Sequence, residues 1–215
     1  MLLSSLPPHP CGRLELEQYS TPGDIAASWL SQIATFGDMT SDSTIVDLGA
    51  GNGVLGIGAA LMGIEQVLLI ELDEDACNSA FQSIEQAGVT ENVELVMKNV
   101  DDNLDLSGVD LIISNPPWGT QVAKSDRPFF GTILRSNAIC HLMHSAKATH
   151  IEPIFESKGW TVNRYWETEF PLPAVYAHHS SRRGRTKVAF WRLKPPEYLI
   201  FSINRATHGR TVHRE

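Results

Sequence analysis

Cysteine is scarce. The 215-residue chain has three, Cys11, Cys77 and Cys140, far apart in sequence, with no CxxC pair and no His/Cys cluster at zinc spacing. That excludes a disulfide framework, points to a reducing compartment and leaves no structural metal to expect. Long apolar runs are missing as well. The opening Met1-Leu2-Leu3-Ser4-Ser5-Leu6 runs directly into Pro7-Pro8, too short for a signal peptide, and nothing later approaches the ~20 apolar residues of a membrane span. The expected location is therefore cytoplasmic, or nuclear in a eukaryotic cell. There is no internal repeat, and 16 glycines and 12 prolines are too few for a fibrous or disordered chain. The 42% apolar content is enough for the core of one domain.

Positive charge is also in short supply, with 17 Lys/Arg against 25 Asp/Glu and a formal charge of −8. The shortage is confined to one part of the chain. Residues 1–177 carry 8 basic against 23 acidic side chains, a balance of −15, whereas residues 178–215 carry 9 against 2, a balance of +7. A basic end on an acidic body fits either a polyanionic partner or a solvated tail, and charge alone does not choose.

Residues 1–20 read as an irregular, proline-containing extension. A helical pattern begins at Thr21-Pro22, with Thr21 of N-cap type, Pro22 suited to the first helical position, and Ile25, Trp29, Leu30 and Ile33 on one face. Strands are expected at 44–48, 67–71, 93–97, 111–114, 138–143, 161–170 and 187–193. Helices are expected at 54–62, 75–87, 127–135 and 151–158. Alternation of this kind implies a parallel sheet with right-handed crossovers, closed by a terminal antiparallel pair. The domain then spans 21–194, followed by a basic tail, 195–215.

The first strand ends in Asp47-Leu48-Gly49-Ala50-Gly51-Asn52-Gly53, a glycine-rich turn leading into a helix. Such a turn presents backbone N–H groups at the sheet edge where open α/β sheets bind nucleotides. A dinucleotide fingerprint would need a third glycine where Val54 stands, which disfavours a nicotinamide-dependent oxidoreductase. Asp47 would repel a pyrophosphate but suits a ligand with an ammonium group, as in S-adenosylmethionine. Glu71, at the end of the second strand, can accept both ribose hydroxyls. Asn99 and Val100, after the third strand, would meet the adenine.

The fourth strand stops at Asn115-Pro116-Pro117-Trp118. A conjugated amine is a weak nucleophile, and to attack a sulfonium methyl it needs acceptors for its two hydrogens and an in-line approach. The Asn115 side-chain oxygen and the Pro116 carbonyl supply the acceptors, the prolines stiffen them, and Trp118 offers a face on which a base can stack. The tetrapeptide resembles the Asn-Pro-Pro-aromatic signature of amino-methyltransferases, which act on adenine, some guanine or cytosine amines, and glutamine amides.

Leu16-Glu17-Gln18-Tyr19-Ser20-Thr21-Pro22, the glycine loop, Asn115-Pro116-Pro117-Trp118-Gly119-Thr120 and Leu172-Pro173-Ala174-Val175-Tyr176 together resemble the methyltransferase-like protein 5 family, from Leu16 to Leu193. That resemblance implies a Rossmann-like class I methyltransferase fold. The sheet would be seven-stranded and mostly parallel with an antiparallel terminal strand, and the target the N6 of one adenosine in small-subunit ribosomal RNA. It further implies that Gln18 and Thr21 close over the cofactor, that Gly49, Asn52 and Val54 line its methionine and ribose region, with Tyr19 and Gly51 also among the cofactor-binding residues, and that a small zinc-ribbon activator subunit pairs by strand addition. The chain departs from the family at Trp118, usually Phe, and at Glu71 and Asn99, both usually Asp. His178, His179, Arg182, Arg183, Arg185 and Lys187 form a basic segment suited to RNA phosphates; adjacent histidines on a strand face opposite sides and make a poor metal pair. Two other readings stay open here: a glutamine-N5 protein methyltransferase of the release-factor type, and a non-catalytic RNA-binding Rossmann protein.

Overall fold

The computed structural model describes residues 2–10, 20–101, 103–119, 122–172 and 184–197. Its centre is a seven-stranded sheet in the order β3-β2-β1-β4-β5-β7-β6. The strands are β1 (Thr44–Leu48), β2 (Gln66–Glu71), β3 (Val93–Met97), β4 (Leu111–Ser114), β5 (Ile139–Ser145), β6 (Thr161–Pro171) and β7 (Arg185–Lys194). All neighbours are parallel except β7, which pairs antiparallel with both β5 and β6. The expected mostly parallel, Rossmann-like sheet is thus observed. The antiparallel strand, last in sequence, is wedged between two parallel ones and not left at the edge.

Helices α1 (Gly23–Thr35), α2 (Val54–Leu61) and α3 (Glu74–Ala87) cover one face, and α4 (Arg127–Arg135) and α5 (Ile151–Glu156) the other. The period-2 geometry of strands divides the core between these faces. On β7, Phe190 packs edge-on against Trp29 in the cluster under α1–α3, while its neighbour Trp191 belongs to the cluster on the opposite face with Phe155. No helix among the described residues is long and apolar enough to cross a membrane.

The start of α1 differs from expectation. Pro22 is the N-cap, with extended backbone (φ −60°, ψ 142°), and the helix begins at Gly23. Thr21 does not cap, because its hydroxyl accepts a hydrogen bond from Asn115 Nδ2 at 3.2 Å. Gly23 has a separate reason to be glycine: a Cβ there would stand 2.5 Å from the Leu3 backbone. The first residues lie against the helical layer through that contact. Asn52 Nδ2 donates to Pro7 O, Ser79 Oγ to Pro8 O and Gln86 Nε2 to Ser5 O, at 2.8, 2.9 and 2.9 Å.

The sheet register slips between Arg164 and Trp166 on β6. The extra residue, Tyr165, turns inward, where its hydroxyl accepts from Trp29 Nε1 at 2.7 Å and meets His141 Nδ1 at 2.9 Å. His141 Nε2 and Arg192 both contact Asp38. Burial pushes the Asp38 carboxyl upward, but Arg192 and His141 outweigh it and hold it at about 2.

Candidate active site

The C-terminal ends of the parallel strands share one edge, and a cavity of about 220 Å³ lies along it. Its walls are the glycine loop after β1, Glu71 after β2, Lys98 to Val100 after β3, and Asn115 with Pro117 after β4. Of the sequence candidates, Thr21, Gly49, Gly51, Asn52, Val54, Glu71, Asn99, Val100, Asn115 and Pro117 all line it. Gln18 and Tyr19 lie outside the described residues.

Gly49 and Gly51 both have positive φ, +73° and +58°, a conformation that favours glycine. Space reinforces the choice. A Cβ on Gly51 would stand 2.6 Å from His9 Cδ2, and one on Gly49 3.0 Å from Phe129 Cε1. His9 therefore packs against the loop at Gly51 and Phe129 at Gly49. Burial lowers the His9 pKa against the opposing pull of Glu71 and Asp73, so the ring over the loop favours the neutral form.

Two carboxylates organise this loop. Glu71 accepts from Gly51 N through one oxygen, and from Leu72 N and Asp73 N through the other, each at 2.8 Å. These bonds tie the ends of β1 and β2 together and hold the carboxylate at the cavity wall. Asp47 is placed differently from expectation. It does not line the cavity but sits fully buried behind the loop, where Oδ2 accepts from Gly56 N at 3.0 Å and Oδ1 has no hydrogen-bond partner. Burial raises its pKa to about 7. The reason is the strand alternation, which points residue 47 at α2, while the turn carries the next residues outward. Asn52 likewise has its amide donating to Pro7 O, anchoring the N-terminal segment at the cavity wall.

At the corner after β4, Pro116 is buried while Asn115 and Pro117 face the cavity. Asn115 is held from both ends: Nδ2 donates to Thr21 Oγ1, and Oδ1 accepts from Trp118 Nε1 at 3.1 Å. Trp118 departs from its expected role. Its ring is 7% exposed and packs edge-on against Phe170 (centroids 5.4 Å apart), so in this structure it holds Asn115 and does not present an open stacking face. The indole N–H, absent from Phe, gains an acceptor in Asn115 Oδ1 by this inward turn.

Phe170 is near the end of β6, so that end of the strand lies beside this corner, and just beyond it Leu172 N donates to Gly184 O at 2.8 Å. His178, His179, Arg182 and Arg183 lie outside the described residues. Arg185 and Lys187 are exposed on β7, with Arg185 Nη1 2.8 Å from Glu169 Oε2.

Sequence reasoning missed several residues at this edge. His9 lies in a proline-bounded segment with no periodicity to place it. Phe129 was findable: Phe130 and Ile133 mark the buried stripe of α4, which leaves the adjacent Phe129 off the core. The third omission is a cluster from three elements. Asp126 precedes α4, His144 is on β5 and His150 precedes α5, and their ligand atoms all lie within 4.8 Å of one another. Burial pushes the Asp126 carboxyl up, but the two imidazoles outweigh it and lower its pKa. No spacing rule would have joined these three, since each is alone on its own segment.

The methyltransferase small domain model matches residues 24–140. Protein MJ0284 of Methanocaldococcus jannaschii is 28% identical over 203 residues, covering 90% of this chain and 91% of its own. The rRNA N(6)-adenosine-methyltransferase metl-5 of Caenorhabditis elegans is 30% identical over 79% of this chain and 84% of its own. Among solved structures, protein PH1948 from Pyrococcus horikoshii superimposes with a TM-score of 0.81 at 29% identity, covering 90% of this chain and 94% of that one.

Proposed function

Because the chain belongs to the METTL5-like family of methyltransferases and carries the class I methyltransferase sheet, we propose that it transfers a methyl group from S-adenosylmethionine to the N6 amine of an adenosine in structured RNA, with small-subunit ribosomal RNA as substrate. One observation carries this reading: the cavity at the glycine loop is continuous with Asn115 and Pro117, so a cofactor site and an amine-accepting corner share one space.

The residues fit the cofactor. Glu71 is oriented at the wall where ribose hydroxyls would be, Val100 is apolar and buried at the adenine end, and Asn99 beside it carries an amide that can both donate and accept. Gly49 and Gly51 keep the loop free of side chains where a ligand approaches. Bound there, the cofactor supplies an electrophilic methyl on a cationic sulfur. This chain's part is to bind, orient and exclude water. The Asn115 amide oxygen, oriented by the Trp118 N–H, is the acceptor proposed for one hydrogen of the adenine amine. The Pro116 carbonyl takes the other hydrogen. With both hydrogens held, the nitrogen lone pair is directed at the methyl, and positioning replaces a strong base.

The basic sequence after Tyr176 supports an RNA substrate, as do the exposed Arg185 and Lys187. For the activator subunit, the supporting feature is β3. Among the described residues it pairs only with β2, and Met97 at its end is 63% exposed. An open strand edge with an exposed apolar side chain suits strand addition.

The test is incubation of total ribosomal RNA and total protein with methyl-labelled cofactor, followed by nucleoside mass spectrometry. Label in N6-methyladenosine, lost in Asn115→Ala, supports the proposal. Label appearing only in protein overturns it.

A further inference from the structure

We propose that Asp126, His144 and His150 bind one divalent transition-metal ion, with zinc the best match to the three groups. Asp126 Oδ2 stands 3.4 Å from His144 Nε2 and 2.6 Å from His150 Nε2. Zinc bonds of about 2.0–2.2 Å in tetrahedral geometry separate neighbouring ligand atoms by about 3.4 Å. The first spacing already has that value, and the second reaches it by a movement of about 1 Å. The side chain that must move is the accessible one, since His150 is 33% exposed whereas His144 and Asp126 are 1% and 3% exposed.

Two features indicate a ligand and not merely a cluster. His144 is buried, its Nδ1 has no hydrogen-bond partner, and its Nε2 meets Asp126 Oδ2 at 3.4 Å without hydrogen-bond geometry. Leaving a buried imidazole nitrogen without a well-formed bond is costly, and a metal bond to Nε2 would supply one. Asp126 holds the N-cap position of α4 without capping it, its carboxylate turned toward the two imidazoles. The surroundings are aromatic, with the Phe130 ring 6.3 Å from His144 and 5.8 Å from His150, and Trp118 6.2 Å from His144 on the other side. Two neutral imidazoles and one carboxylate in such a setting suit a borderline-soft cation over magnesium or calcium, which prefer all-oxygen cages.

The three ligands come from the starts of α4 and α5 and the end of β5. An ion would therefore brace these elements against each other and, through the Trp118 contact, stiffen the wall behind Asn115. Its role is structural, and no step of methyl transfer passes through it. The alternative is a simple His150–Asp126 hydrogen bond with no ion.

Chelator-stripped full-length protein is titrated with Zn²⁺ in competition with a chromophoric chelator, and separately with Co²⁺ while following its visible absorption. The expected result is one ion per chain at micromolar affinity or tighter. His150→Ala and Asp126→Asn should each weaken it by about 100-fold or more. His178→Ala/His179→Ala should leave it intact, which separates this site from the basic segment. Zn²⁺ should also raise the melting temperature of the wild type but not of His150→Ala. His150 is partly exposed and its variant is expected to fold, so it decides the question even where Asp126→Asn does not fold. Substoichiometric binding, or wild-type affinity in His150→Ala, overturns the proposal and leaves the hydrogen-bonded pair.

Discussion

The indole N–H of Trp118 donates to Asn115 Oδ1 at 3.1 Å, so the aromatic residue of the corner orients the amide beside it. If that bond sets the amide's rotation, Trp118→Phe preserves packing against Phe170 but frees the oxygen to turn. The expected outcome is a kcat loss of roughly 10-fold for Trp118→Phe and about 100-fold or more for Trp118→Ala, with little change in cofactor affinity. Equal kcat in wild type and Trp118→Phe would show that packing, and not the hydrogen bond, is what the corner needs.

His9 and Gly51 should be coupled. Gly51→Ala puts a Cβ 2.6 Å from the His9 ring and also forces a non-glycine residue to φ +58°. The backbone part costs roughly 1–2 kcal/mol and cannot be relieved from outside the loop. The steric part can. Calorimetry with S-adenosylhomocysteine should find Gly51→Ala weakened by about 10-fold or more, and His9→Ala/Gly51→Ala partly restored, a coupling above about 0.5 kcal/mol. Strict additivity would mean that His9 swings away freely.

These two relationships mark where sequence reading stopped. Strands β1, β3 and β4 have the expected bounds because each is a short apolar run cut off by polar or turn residues, and the edge they form had to collect the glycine loop, Val100 and Asn115. Side-chain direction was less accessible. Asp47 precedes the loop in sequence, but strand alternation buries it behind. Thr21 looks like a cap, but a partner 94 residues away claims its hydroxyl. Tyr165 breaks the alternation of β6 because buried polar groups on α1 and β5 recruit it, a tertiary demand with no local signature. Asp126, His144 and His150 meet only because three elements converge.

Asp47 should make stability depend on pH. Burial raises its carboxyl from 3.8 to about 7, so the folded state holds the proton more tightly than the unfolded chain. The sign follows: the favourable contribution is complete below about pH 4 and is lost as pH rises through about 7. Asp47→Asn does not titrate, and its amide oxygen can still accept from Gly56. Urea unfolding of both proteins from pH 5 to 8 should show wild type losing ground to Asp47→Asn by up to about 1.4 kcal/mol per pH unit, then levelling. Parallel curves would mean the carboxylate finds compensation in the fold.

The basic segment makes a prediction about salt. Arg185 is paired with Glu169 on the surface, and both side chains are more than half exposed, so the pair contributes little and exchanges readily for a phosphate. If Arg182, Arg183 and Arg185 each neutralise one phosphate of a single-stranded target, replacing all three with Gln should lower the slope of log K against log[salt] by about 2. Affinity should fall at low salt and converge with wild type at high salt, while kcat at saturating RNA stays unchanged, since none of the three is part of the Asn115 corner. Glu169→Gln should act oppositely, tightening binding slightly by releasing Arg185. An unchanged slope in the triple variant would make these three arginines solvated surface charges, and RNA contact would have to come from other basic residues such as Lys98 at the cavity and exposed Lys187.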